Sequence, residues 1–150
     1  MKYLIILALV FLLYYYYQPQ EQTLSPQNEQ PEQSISAGRK QWETRSDDQP
    51  PVAIKVTPTE LGRDAKQWRF NIVFDTHSGS LDDDPLAIAT LIDDKNNIYQ
   101  PNNWEGAGPG GHHREGVLIF EAINPAPAYV ELKIKNVGGI AERLFKWKMQ

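Results

Sequence analysis

Gln67-Trp68-Arg69-Phe70-Asn71-Ile72-Val73-Phe74-Asp75 (QWRFNIVFD) alternates with a period of two. Trp68, Phe70, Ile72 and Phe74 fall on one face, and Arg69, Asn71 and Asp75 on the other. Successive side chains of an extended chain point to opposite sides, so this is a strand with one face in a core and one toward water. Shorter runs of the same kind flank it. Val52–Thr57 precedes Pro58, and Leu86–Asp93 (LAIATLID) is apolar and β-branched. The turn Asp93-Asp94-Lys95-Asn96-Asn97 leads to Ile98-Tyr99, with Asn tolerating a positive φ where glycine is more usual. Gly116–Ile123 (GVLIFEAI) is β-rich and is broken by Asn124-Pro125-Ala126-Pro127. Tyr129–Lys135 sets Val130, Leu132 and Ile134 against Glu131, Lys133 and Lys135. Asn136–Gly139 turns, and Ala141–Lys148 sets Phe145 and Trp147 against Glu142, Lys146 and Lys148. No stretch from Pro51 onward has helical spacing. About seven short strands in about 100 residues predict an all-β, antiparallel, immunoglobulin-like sandwich over residues 51–150. Trp68, Trp104, Trp147 and the phenylalanines read as its core or end covers; a carbohydrate-stacking surface requires an exposed Trp104.

Residues 1–50 differ in kind. Lys2 precedes the apolar run YLIILALVFLL and then Tyr14-Tyr15-Tyr16-Tyr17. One positive charge before an apolar segment is the layout of a secretory signal. The run is slightly shorter than the ~17–25 residues of a spanning helix. Four tyrosines and Gln18-Pro19 suit signal peptidase poorly, and tyrosine rings sit well at a membrane interface. Residues 1–17 therefore read as a hydrophobic helix acting as an uncleaved signal anchor, with the C-terminal part outside the cytoplasm. A cleaved signal peptide and a secreted or periplasmic product are the alternative. Residues 18–50 are rich in Gln, Pro, Glu and Ser and read as a disordered linker, with a mean reach of about 30 Å. Trp42 is its one large apolar residue whose environment composition leaves open.

A net charge of −4 and a pI near 5.3 argue against nucleic acid, whose binders present a basic face to phosphate. The absence of cysteine excludes disulfides, thiolate chemistry and zinc-thiolate sites.

The three histidines lie in two stretches, Asp75-Thr76-His77-Ser78 and Gly106–Glu115 (GAGPGGHHRE). Counting strand directions upward from Gln67–Asp75 puts both stretches, and Asn136–Gly139, at one end of the sandwich. His77, Asp82, Asp83, Asp84, Glu105, His112 and His113 then collect there. Imidazole suits Zn and Cu, and carboxylates complete such sites, so His77, His112, His113 and Glu105 form a candidate transition-metal set. Adjacent residues of an extended chain point apart, so His112 and His113 need a bent backbone to share an ion. The structural reading keeps His77 at a strand end, bonded to a carbonyl, and stacks His112 or His113 on Trp104. Asp82-Asp83-Asp84 with Ser78 and Ser80 supply oxygen ligands for Ca, without the spacing of an EF-hand. Trp104, Arg114 and Asp82–Asp84 form a candidate interaction loop. A hydrolase using Asp75, His77 and Ser78 or Ser80 is a weaker alternative: there is no nucleophile elbow and no phosphate-binding glycine loop after a strand.

The order THS, LIDDKNNIYQP, WEG, GGHHREGVLIF, ERLFKW resembles uncharacterised bacterial secreted or membrane-anchored domains bearing the same THS and GGHHR elements, over roughly Val56 to Lys148. More distantly, the pattern L-x-D-x-x-x-x-x-Y … G-V-L-x-F-E … L-x-I is similar to DUF4352-type extracellular immunoglobulin-like domains. The first resemblance implies location and fold, and the second an accessory or binding role outside the cytoplasm. The combined expectation is a membrane-tethered extracytoplasmic binding domain whose partner is an envelope protein. A Zn- or Cu-binding domain is its rival.

Overall fold

A computed structural model of the chain describes residues 41–149. The expected anchor over residues 1–17, and the linker as far as residue 40, lie outside those residues. Among the described residues, no helix is long and apolar enough to cross a membrane.

The described chain is almost wholly β. Its strands are β1 (Arg45–Asp47), β2 (Val52–Glu60), β3 (Gln67–Thr76), β4 (Ala89–Asp93), β5 (Ile98–Tyr99), β6 (Asn103–Gly106), β7 (His113–Glu121), β8 (Tyr129–Val137) and β9 (Ile140–Lys148), with one helical turn, α1 (Pro85–Ile88). They form two antiparallel sheets, in the orders β1-β2-β3-β7-β6 and β5-β4-β8-β9.

The period-two pattern of β3 sets the core. Trp68, Phe70, Ile72 and Phe74 are all buried, as are Val52, Ile54 and Val56 of β2 and Leu118 and Phe120 of β7. From the facing sheet come Leu91, Val130, Leu132, Ile134, Phe145 and Trp147. The two sheets meet at Phe70, whose ring stands edge-on to Phe120 at 5.8 Å and lies 5.6 Å from Trp147. The indole N–H groups are not orphaned by burial. Trp68 Nε1 donates to the Gly62 carbonyl at 2.9 Å, and Trp147 Nε1 to the Glu43 carbonyl at 2.8 Å.

Three local features depart from the sequence reading. Leu86–Asp93 does not run as one strand. Asp84 Oδ1 accepts from the Leu86 amide at 3.0 Å and Pro85 opens the helical turn α1, so β4 starts only at Ala89. An N-cap followed by proline is a helix start, and here it overrides the β-branched content. The second departure is β6, four residues that read as loop because Asn103-Trp104-Glu105-Gly106 has one apolar member. It pairs with β7, Trp104 opposite Leu118 and Gly106 opposite Gly116. The third concerns the boundary expected at Pro51. Arg45–Asp47, within the 18–50 stretch, is an edge strand with Arg45 opposite Val56 and Asp47 opposite Ile54. Trp42 joins the partly buried residues against the core, its Nε1 donating to the Leu61 carbonyl at 3.0 Å. A three-residue polar strand carries no hydrophobic period. Its placement comes from Trp42, Trp147 and the buried Arg143, which donates to the Gln49 carbonyl at 3.0 Å.

The ends of the sandwich follow the counted directions. Thr76, at the end of β3, donates its amide to the His112 carbonyl at 2.8 Å, just before β7. The two-residue β5 does not cross its sheet. The chain passes to the other sheet after Tyr99 and β6 continues in the same direction, so the loop after Gly106 reaches the same end.

Candidate functional site at the loop end

Three chain segments meet at that end: the stretch after β3, the loop between β6 and β7, and the turn between β8 and β9. Arg114 binds the first two together. Its side chain is buried at 5% relative exposure. Nε donates to the Ala107 carbonyl at 3.0 Å, and Nη1 to the Leu81 carbonyl at 3.1 Å and to the Asp83 carbonyl. The guanidinium also lies 5.6 Å from the Trp104 ring centroid, within cation–π range. Arg114 belongs to the candidate interaction loop, and the structure gives its side chain a role within the fold. Its fork of N–H donors is turned inward, where carbonyl dipoles and an aromatic face replace its hydration.

The same clamp has a backbone counterpart. Gly110 donates to the Leu81 carbonyl at 3.0 Å and Ala107 to the Glu115 carbonyl at 2.9 Å. Gly110 and Gly111 take φ values of 107° and 75°, conformations that L side chains rarely adopt. This reversal delivers His112 to the end of β3. Trp104 lies across the paired Gly106 and Gly116. A Cβ on Gly116 would sit 2.5 Å from the Gly106 Cα and 2.5 Å from the indole. Only glycine leaves room for that ring. Trp104 is half-buried, with its Nε1 donating to the Ala107 carbonyl at 3.0 Å. One ring face is therefore already covered by the Gly106–Gly116 pair.

The histidines separate. His113 stands opposite Asp75 on the outer face of the first sheet, its Nδ1 2.6 Å from Asp75 Oδ1 and its Nε2 3.8 Å from Glu115. The hydrogen bond to Asp75 raises the imidazole pKa above its ordinary value of 6.5; desolvation opposes this slightly, and the charges of Asp75 and Glu115 add to the rise. His77 and His112 are exposed on the loops. Glu105 does not join them. It pairs with Arg69 across the outer face of the sheet, beside the Asn71–Glu115 hydrogen bond of 2.9 Å. Among the described residues, no group of three or more His, Asp or Glu side chains is arranged to hold a metal ion. The alternation that makes β7 a strand sends Arg114 inward and His113 outward, which keeps adjacent ring and guanidinium apart.

Asp82, Asp83 and Asp84 are exposed, and each has a local role or none. Asp84 caps α1, the Asp83 carbonyl accepts from Arg114, and Asp82 lies near Gly110. Asp75, expected in a hydrolase arrangement with His77, is bonded to His113 instead. Among the described residues no serine hydroxyl is hydrogen-bonded to a histidine ring. The Thr76 hydroxyl lies 2.8 Å from the Pro51 carbonyl and 2.6 Å from the Ser78 carbonyl, tying down the THS turn. The hollow under Arg114, bounded by Phe74, Leu81, Ile88 and Val137, holds about 10 Å³. Small-molecule sites run to roughly 300–1,000 Å³. No protein-family model, curated protein or solved structure matches this chain. The loop end is thus a set of exposed polar side chains on a backbone held from beneath.

Sequence reading passed over one buried acid at the opposite end. Asp93 closes β4 and is 3% exposed. Oδ1 accepts from the amides of Lys95 and Asn97, both at 2.8 Å, and Oδ2 from Asn97 Nδ2 at 2.8 Å and the Tyr99 hydroxyl at 3.0 Å. Desolvation pushes its pKa up, but these four donors outweigh it and hold the value at about 2. The Asp93-Asp94-Lys95-Asn96-Asn97 run carries the signal, an Asx-type turn in which Asn96 takes a φ of 63°. Its role is to fix the turn between β4 and β5.

Proposed function

We propose that this chain is an extracytoplasmic binding domain, held at a membrane by its N-terminal apolar segment, and that it recognises a protein of the cell envelope through its loop end. The Arg114 clamp carries this reading. A buried cation gathers the carbonyls of Leu81, Asp83 and Ala107 and so presents His77, His112, Asp82 and Asp83 on a preorganised surface. Preorganised loops lower the entropy cost of binding. The hollow beneath Arg114, at about 10 Å³, is far below ligand size, which favours a macromolecular surface over a small molecule. The strand orders β1-β2-β3-β7-β6 and β5-β4-β8-β9 support the immunoglobulin-like reading of the sandwich. They contain the four-strand set β2-β3-β7-β6 and the three-strand set β4-β8-β9, the ABED and CFG arrangement of that fold. In that architecture, loops gathered at one end are a common recognition surface.

Site-specific photo-cross-linking in intact cells tests the proposal. A photoreactive residue at His112 or Asp83 of the full chain is expected to trap one discrete envelope protein, and one at Asn124, in the connection between β7 and β8, is not. Equal capture from both ends, or none from the loop end, defeats it.

A further inference from the structure

Of the four sheet edges among the described residues, three are short: β1 has three residues, β5 two and β6 four. The fourth, β9, has nine residues and its only strand partner among the described residues is β8, while its inward-facing Arg143 and Trp147 donate to the Gln49 and Glu43 carbonyls of the segment that flanks it. A long edge strand leaves a row of N–H and C=O groups open to another strand. Leu144 lies in the middle of this one and is 49% exposed, a large apolar residue on the water-facing side. An open groove of about 850 Å³ follows the lower half of the strand, lined in part by Leu144, Lys146 and Lys148 together with Gln41, Glu43 and Arg45 of the segment that leads into β1.

We propose that β9 is a self-association edge, on which a second copy of this chain adds its own β9 antiparallel, with the two-fold axis at Leu144. The charge pattern selects this occupant. The outer-facing residues are Glu142, Leu144, Lys146 and Lys148. Antiparallel pairing about Leu144 sets Leu144 against Leu144, Glu142 against Lys146 of the second copy, and Lys148 against Ile140 of the second copy. Lys148 is also diagonal to Glu142 of the second copy, and no like charges are directly opposed. Opposite charges across a strand pair stabilise it and like charges oppose it. Lysines on an edge normally discourage pairing. Here they repel strands that lack a matching carboxylate and accept the one that carries Glu142 in register. Within one chain, Glu142 already lies 2.9 Å from Lys133, and Lys146 rests 3.5 Å from the Tyr129 ring centroid. Both partners lie on β8, so these two side chains turn from β8 toward the edge when a second copy pairs. A two-fold interface uses the same patch twice and closes at two copies, which blocks open-ended strand addition. The inference concerns β9 and is independent of the loop-end reading.

The test uses the full-length chain in detergent, which has no cysteine of its own. Leu144→Cys lies on the axis and is expected to give a disulfide-linked dimer under a mild oxidant. Lys148→Cys is expected to give none, because eight residues of strand separate the two copies of that position by about 26 Å. In the Leu144→Cys background, Glu142→Lys and Lys146→Glu each place two like-charge pairs across the axis. Each is expected to weaken dimerisation about tenfold or more, and the two together to restore it. All four positions are exposed, and circular dichroism of each variant checks that the β signal is retained. Light scattering of the unaltered chain with rising concentration gives a second readout, with the mass of two chains expected. A monomer at every concentration, cross-linking at 148 equal to that at 144, or a double swap that fails to restore the dimer overturns the proposal.

Discussion

Arg114→Met isolates the clamp beneath the loop end, since methionine keeps much of the apolar stem and loses every donor. Three hydrogen bonds disappear, to the carbonyls of Ala107, Leu81 and Asp83. Hydrogen bonds involving a charged group contribute about 1.5–3 kcal/mol each, so the gross loss is at least about 4.5 kcal/mol. Two effects reduce it. The Leu81 carbonyl keeps the Gly110 amide at 3.0 Å and the Ala107 carbonyl keeps the Trp104 indole at 3.0 Å, so only the Asp83 carbonyl is left to water. Among the described residues Arg114 also has no carboxylate partner, and removing a buried cation recovers part of its desolvation cost. The net loss is about 3 kcal/mol. With a urea slope of about 1.5 kcal/mol per molar, the unfolding midpoint falls by roughly 2 M. Hydrogen exchange distinguishes the clamp from general weakening: the Gly110 and Thr76 amides lose protection before those of β8. Arg114→Lys, with one ammonium in place of a fork, keeps one arm of the clamp and lands between the two. A midpoint within a few tenths of a molar of the parent, with Gly110 still protected, would refute the assignment of Arg114 as the loop keystone.

Further expectations concern charge and close packing. Asp93 is held at about 2 against roughly 3.9 in an unfolded chain. A depressed carboxylate stabilises the fold above the unfolded value, and the contribution fades as pH falls from about 4 toward 2. It amounts to about 2.6 kcal/mol. Acid unfolding of Asp93→Asn should lack that step, and an unchanged acid profile would contradict the four-donor niche. His113 has the opposite sign, because its pKa is raised in the fold. Its contribution is complete below about 6.5 and is lost as pH rises through the folded value. In NMR titrations its ring should ionise above 6.5, and Asp75→Asn should return it toward that value; no movement would count against the Asp75 bond. Gly116→Ala forces a Cβ to 2.5 Å from the Trp104 ring and the Gly106 backbone. Overpacking of this kind costs about 1–3 kcal/mol. It should shift Trp104 fluorescence toward exposed-indole emission, and a fully stable variant would mean that the indole does not lie on that glycine pair.

The alternation of QWRFNIVFD, and of the runs from Val52, Gly116, Tyr129 and Ala141, was enough to identify an antiparallel two-sheet β structure and most of its core. Side-chain period is a property of the local chain, and a strand that buries one face must write that period into its residues. The same count put the THS and GGHH stretches at one end, but it did so through β5; the chain reaches that end through β6, which the count did not include. Three elements had no such signature. β1 and β6 are short edges whose pairing depends on β2 and β7, and the start of Leu86–Asp93 was taken by the Asp84-Pro85 cap. Side-chain direction within the loop end was legible only in tertiary structure. GAGPGGHHRE lists two histidines, an arginine and a glutamate as neighbours. Once paired with β3, the chain turns Arg114 inward to three carbonyls, His113 outward to Asp75, and leaves His112 on the loop. Residue types and their order determine which chemistry is present, and the partner strand decides which face each group occupies and what it is free to meet.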